Sequence, residues 1–195
     1  MIITIFDFDD TLFPTSHLID KRKFLKDEYI FDDKQINKLC SNLKELYKIS
    51  KNNSDKLHII TNAEKSWVQQ CLKKFLYNCS DIFLNIEIIS SVDEGFSHNR
   101  DRGMWKTYTF IFKLFQYFGD GKNHELLAFG DCIFDREASM NIKKVFPNVT
   151  VKNITLLSKP NIHEFLIEQE AMIHTIENLY KHRGEIDYKL TLKNM

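Results

Sequence analysis

An α/β fold built on a parallel sheet is what this chain predicts, and three observations carry that expectation. Short apolar runs that read as strands alternate with stretches of helical period, and such alternation places helices on both faces of a mainly parallel sheet joined by right-handed crossovers. Two of the apolar runs stop abruptly at acidic residues, the first at Asp7 and a later one at Gly130 and Asp131. Parallel sheets gather their ligands at such C-terminal strand ends. The 195 residues suffice for one domain with a sizeable core and are few for two. A single domain over 1–195 is therefore expected, with a core of about 1–182 and a peripheral tail at 183–195.

The first strand is IITIF, which runs into DFDDTLFPT. Residues 13–31 read as irregular and carry a basic patch at Lys21, Arg22, Lys23 and Lys26. A helix begins near Asp32 with Asp33 able to cap it, because Ile36, Leu39, Leu43 and Leu46 recur at helical spacing. Asn52, Asn53 and Ser54 end it. A second strand is expected over 56–61, then a helix over about 64–75 with Trp67, Val68, Cys71, Leu72 and Phe75 on or near one face, then a third strand over 85–90. Residues 91–103, SVDEGFSHNRDRG, read as a loop. A helix over about 104–118 is stopped by Gly119, Asp120 and Gly121. A fourth strand (126–129), a helix (134–144) and a fifth strand (150–157) follow, and Pro160 suits the first turn of a long last helix reaching about Lys181.

Lys plus Arg and Asp plus Glu number 27 each, so no global field favours nucleic acid, membranes or acidic partners. Cys40, Cys71, Cys79 and Cys132 form no zinc-like spacing. Met1 leads straight into the first strand, which leaves no room for a targeting segment, and no apolar run approaches the roughly 20 residues that cross a bilayer. Reduced thiols in a cytoplasmic or nuclear protein, with no membrane partner, are the expectation.

The chemistry concentrates in a few short motifs. In a strand, positions i and i+2 point the same way, so Asp7 and Asp9 converge on one volume with Thr11 just beyond. Carboxylates that close repel unless one is protonated or a cation lies between them. As an isolated motif, Asp-x-Asp-x-Thr would equally serve a turn and a helix cap. Thr61 in LHIITNAE ends the second strand, where it suits a cap as well as a ligand contact. Lys106 in GMWKTYTF sits at the start of a helix, against the macrodipole, although a solvated helix end would also accept it. In LLAFGDCIFDREA an apolar strand breaks at Gly130 and presents Asp131, with Asp135 in the first turn of the next helix.

Taken in this order, DxDxT, Thr61, Lys106 and GDxxxD resemble the four motifs of the haloacid-dehalogenase (HAD) superfamily of phosphohydrolases. The resemblance covers the chain from Ile2 to about Leu157, and the longer phrases TNAExxWV, WKxxxF and FGDxxxDRxA resemble a capless branch of that family. It implies a three-layer α/β/α sandwich around a mainly five-stranded parallel sheet of order 5-4-1-2-3, a HAD-like Rossmannoid without a cap domain. It also implies a magnesium-dependent phosphatase. Asp7 would be the nucleophile that forms an aspartyl-phosphate and Asp9 the general acid and base. Thr61 and Lys106 would hold the phosphoryl oxygens. The metal would lie among Asp7, the main-chain carbonyl of Asp9, and Asp131, with Asp135 orienting Lys106 or assisting the metal shell.

The intervals before and after the second strand are too short for a full cap, and uncovered sites of this type resemble those acting on bulky phosphorylated substrates such as phosphoproteins or nucleic-acid ends. Thr11, Asn62, Arg100 and Arg102 are the candidate substrate contacts, the two arginines being equally suited to a solvated loop balanced by Asp93, Glu94 and Asp101. A response-regulator receiver orders its acidic residues, Thr and Lys differently, and a metal-dependent adhesion module would place Ser where Asp9 stands. A HAD-like fold without activity, serving as a scaffold or phospho-ligand binder, is the alternative. The sequence leaves the oligomeric state open.

Overall fold

The structure is a computed structural model that describes residues 1–20, 31–98 and 100–191. The basic patch at Lys21, Arg22, Lys23 and Lys26 lies outside the described residues. In chain order the elements are β1 (Ile2–Phe6), α1 (Thr15–Asp20), α2 (Asp33–Asn53), β2 (Lys56–Thr61), α3 (Lys65–Lys74), β3 (Glu87–Ser90), α4 (Arg102–Phe118), β4 (His124–Gly130), α5 (Ile133–Val145), β5 (Val149–Thr155), α6 (Ile162–Lys181) and β6 (Ile186–Lys189), with 3-10 segments at Tyr77–Asn85 and Phe96–His98.

All six strands pair in parallel, in the order β3-β2-β1-β4-β5-β6. Strand alternation divides the core into two. Ile3 and Ile5 of β1 pack with Ile60, Leu126, Ala128 and Val151 against α4 and α5, through Phe110, Leu114, Ala138 and Ile142. On the opposite face Phe6, Ile59, Leu127, Phe129 and Ile154 meet Leu39, Leu43 and Leu46 of α2, Val68 of α3, and Phe165, Met172 and Ile176 of α6. A strand covered on both faces must be apolar throughout. That is why IITIF shows no polar alternation; its one hydroxyl, Thr4, is buried against the Tyr180 hydroxyl at 2.8 Å.

Helix boundaries follow local hydrogen bonding. Asp32, rather than Asp33, caps α2, accepting from the Gln35 N–H at 2.7 Å while the Gln35 side chain accepts from the Asp32 N–H at 3.1 Å. Asn161 caps α6 in the same reciprocal way with Glu164, so Pro160 precedes the cap instead of opening the first turn. Part of the stretch read as irregular is the helix α1. None of the described helices is long and apolar enough to cross a membrane.

The expected five-stranded order 5-4-1-2-3 requires correction, because the sheet has six strands and runs 6-5-4-1-2-3. Within the tail expected to be peripheral, the stretch 186–190 joins the sheet and the core. β6 pairs with β5 from Lys152↔Ile186 to Thr155↔Lys189. Asp187 accepts from the Arg136 guanidinium and from the Asn153 amide at 3.1 Å. Leu190 is buried in the core shared with α2 and α6. A four-residue edge strand with exposed side chains carries no period that a sequence reading could detect, and short polar edges of this kind discourage further strand addition.

Leu190→Ala should cost about 2–3 kcal/mol of stability, measured by urea unfolding. A loss below roughly 0.5 kcal/mol would return the segment to the periphery.

Candidate active site

β1, β2 and β4 are neighbours, so the residues leaving their C-terminal ends meet at one place. The Asp7 N–H donates to the Phe129 carbonyl at 2.9 Å, which extends the β1–β4 pairing to the acidic residue itself. The chain then turns tightly, the Phe8 carbonyl accepting from Leu12 and Phe13 at 2.9 Å each. This turn places Asp10 at φ 51°, a left-handed conformation unusual for a non-glycine residue. The Ser16 N–H and hydroxyl, at 2.8 and 2.5 Å, hold the Asp10 carboxylate there.

Lys106 comes from the second turn of α4, a helix capped by the Asp101 side chain on the Gly103 N–H at 2.9 Å. Its ammonium is buried, 2.7 Å from Asp7 Oδ1 and in contact with Asp135 Oδ1. Burial alone disfavours the charge, but Asp135 and Asp7 outweigh it and hold the lysine above its ordinary range, fully protonated. The second oxygen of Asp135 accepts from Cys132, from N–H at 3.3 Å and S–H at 2.8 Å. Both oxygens of Asp135 are thus engaged within the protein. Of the two roles expected of this residue, the orienting of Lys106 is the one its contacts display.

Gly130 lets Asp135 come this close. A Cβ at Gly130 would lie 2.2 Å from Asp135 Cγ and 2.3 Å from its Cβ. The glycine of GDxxxD is therefore a requirement of space.

The electrostatics favour a cation. Asp7 is held well above its usual range by burial, against the pull of Lys106, with Asp135, Asp131 and Asp9 adding to the rise. Asp131 is pushed up to about 7 by burial, Asp135 and Asp10. Among the described residues, the single ammonium of Lys106 does not balance these carboxylates. Ligand atoms of Asp131, Cys132 and Asp135 lie within 4.8 Å of one another. Burial, then Asp135, lifts the Cys132 thiol above its ordinary range, so the sulfur stays a protonated donor. The donors left are carboxylate oxygens, which fit a hard divalent ion better than a soft one.

Asp9 occupies a different environment, half-buried and held by neutral donors. Its Oδ1 accepts from the Thr15 hydroxyl at 2.5 Å and from Trp67 Nε1 at 2.9 Å, and its Oδ2 from the Thr61 hydroxyl at 3.4 Å. Thr61 Oγ1 also accepts from the Ala63 N–H at 3.0 Å, so the same residue caps the turn and reaches the acid. Thr15 and Trp67 were absent from the sequence candidates. Trp67 reads as one more apolar residue of a helix face, and only its indole N–H distinguishes it. The Thr11 hydroxyl and the Asn62 side-chain carbonyl are buried with no hydrogen-bond partner among the described residues. Arg100 and Arg102 stay exposed, and Arg102 lies over the Trp105 ring at 5.2 Å. Beside Asp131 opens a groove of about 530 Å³, walled by Cys132, Thr155, Ser158 and, from β6, Lys189.

Beneath the cluster, Glu168 of α6 is fully buried and accepts from the Leu157 N–H at 2.5 Å. Burial pushes its carboxyl up to about 8, with Asp131 and Asp10 adding to the rise. The folded protein therefore keeps this proton at pH values where the unfolded chain, with its ordinary 4.5, has lost it. Stability from this group is fully present below about 4.5 and declines as pH rises to about 8.

Two outcomes follow. Gly130→Ala should cost roughly 2–3 kcal/mol in urea unfolding; a neutral effect would mean that Asp135 is not confined. Glu168→Gln keeps the acceptor for Leu157 and removes the titration. Its stability relative to the parent should improve by on the order of 4 kcal/mol from pH 4.5 to 8, and a pH-independent difference would show that Glu168 ionises normally.

No family model, no curated protein and no solved structure matches the chain, so the chemistry of this cluster is read from its own geometry.

Proposed function

We propose that this chain is a magnesium-dependent phosphohydrolase of HAD type, acting through an aspartyl-phosphate on a bulky phosphorylated substrate such as a phosphoprotein or a nucleic-acid end. The observation that carries the reading is the unequal treatment of two acids two residues apart: Asp7 is tied to the Lys106 ammonium, and Asp9 to the neutral donors of Thr15, Trp67 and Thr61. Environments that separate two neighbouring carboxyl groups are what a nucleophile and an acid/base pair require.

In this mechanism an Asp7 oxygen attacks phosphorus as the bond to the leaving oxygen breaks, and Asp9 delivers a proton to that oxygen. Water then attacks the aspartyl-phosphate while Asp9 takes its proton, and inorganic phosphate leaves with Asp7 restored. Lys106 faces the negative charge spread over the phosphoryl oxygens. Thr61, Thr11 and Asn62 offer polar atoms to orient them, the last two having no partner among the described residues. Asp135 keeps Lys106 in place. Magnesium held by Asp7, Asp131 and the main-chain carbonyl of Asp9 would neutralise and align the phosphoryl group. The groove walled by Thr155, Ser158 and Lys189 opens beside Asp131 and can take the body of a bulky substrate.

The test is hydrolysis of a generic aryl phosphate, phosphopeptides and 3′- or 5′-phosphorylated oligonucleotides with magnesium. Asp7→Asn should lower turnover at least about 10³-fold in a protein whose circular dichroism still reports the folded state. An Asp7→Asn variant as active as the parent would overturn the nucleophile assignment. A parent protein that binds phosphate but turns over no substrate class would favour a scaffold or phospho-ligand binder.

A further inference from the structure

Away from the acidic cluster, α2 and the 3-10 segment Tyr77–Asn85 bring two cysteines together across 39 positions of sequence. Cys79 donates its S–H to the sulfur of Cys40 at 2.8 Å, and both side chains are buried. A disulfide bond is about 2.05 Å long, so less than about 1 Å of approach separates this contact from a covalent bond. We propose that Cys40 and Cys79 form a reactive dithiol that closes to an intramolecular disulfide on exposure to a peroxide, cross-linking α2 to the segment that precedes β3.

The two sulfurs are not equivalent, and their differences agree. The S–H of Cys79 lowers the Cys40 thiol below its ordinary range, with Lys44 one turn along α2 helping against burial. The same hydrogen bond, then burial, raises Cys79. Cys40 also keeps 4% of its surface exposed and Cys79 none. The sulfur with more thiolate character thus belongs to the less deeply buried of the two residues, which makes Cys40 the attacking group and Cys79 the resolving one.

The chemistry balances with hydrogen peroxide as the oxidant. The Cys40 thiolate attacks one peroxide oxygen and breaks the O–O bond; the departing hydroxide takes up a proton, leaving a sulfenic acid on Cys40 and one water. The Cys79 sulfur attacks the Cys40 sulfur and expels hydroxide, which leaves with the Cys79 proton as a second water. Two thiols are oxidised by two electrons, and one peroxide is reduced to two waters. The closed bond would enclose β2 and α3, and with them Thr61 and Trp67. Cys71, equally buried, has its thiol raised by burial, and the Cys132 thiol is committed to Asp135. Neither offers the same pairing.

The reduced full chain is treated with hydrogen peroxide, quenched and alkylated under denaturing conditions, and its peptides are mapped by mass spectrometry. Two of the four thiols should become unreactive to alkylation, with a single cross-link joining the Cys40 and Cys79 peptides. The oxidised protein should unfold roughly 5–10 °C above the reduced one. Cys71→Ala should preserve the cross-link, and Cys40→Ala or Cys79→Ala should remove it. Four thiols that alkylate as before, a bond to Cys71 or Cys132, or oxidation of Cys40 to sulfinic acid with Cys79 still free would each overturn the proposal. The mapping on the parent chain decides the matter even where a variant does not fold.

Discussion

A buried ammonium between two buried carboxylates organises this molecule. Lys106 meets Asp7 and Asp135 in a space from which water is almost excluded, and an ion there is tolerable only with its partners in place. Much of the local architecture serves that contact. The cap at Asp101 starts α4 so that Lys106 falls one turn in and points inward. Gly130 clears the volume that Asp135 fills, and Cys132 takes the oxygen of Asp135 that the lysine leaves. The three ions come from the residue that follows β1, from α4 and from α5, so the triad also ties the middle of the sheet to the two helices on one of its faces.

Around it the carboxyl groups are sorted by neighbours. Asp7 answers to a charge, Asp9 to an indole and two hydroxyls, Asp131 to burial and other acids, and Glu168 to burial and one main-chain amide. Chemically similar side chains, two of them only two residues apart, are thereby given different partners. This gathering of carboxyl groups, each held up in its proton affinity by burial and by its acidic neighbours, is the strongest physical argument for a cation, and it does not depend on any likeness to other proteins.

What could be read from the sequence was what local spacing encodes. IITIF followed by Asp7 and Asp9 announces a buried strand with two acids on one side, and Gly130-Asp131 with Asp135 announces a strand, a turn and a capped helix. Lys106 was legible only by its place in the order of motifs, since one lysine near a helix start resembles any other. The contacts of Asp9 were hidden for the same reason: Trp67 has the spacing of a core residue, and Thr15 lay in a stretch with no periodic signal. β6 was too short and too polar to register. Glu168 looks like one acid among the solvated residues of a long helix until the fold places it beneath Asp131. The pairing of Cys40 with Cys79 joins elements with no local relation at all.

The order of the strands has a consequence in time. β1 finds its two sheet neighbours in β2 and in β4, and β4 begins only at His124. Sheets built from such distant pairings form slowly, because long loops must close before any contact rewards them. The acids that emerge first acquire their countercharge from α4 and its anchor from α5, beyond residue 130. A nascent chain shorter than that carries Asp7 and Asp9 with neither Lys106 fixed nor Asp131 present. Whatever chemistry the cluster performs is therefore withheld until α4 and α5 are in place, and its onset reports the completion of the sheet's centre.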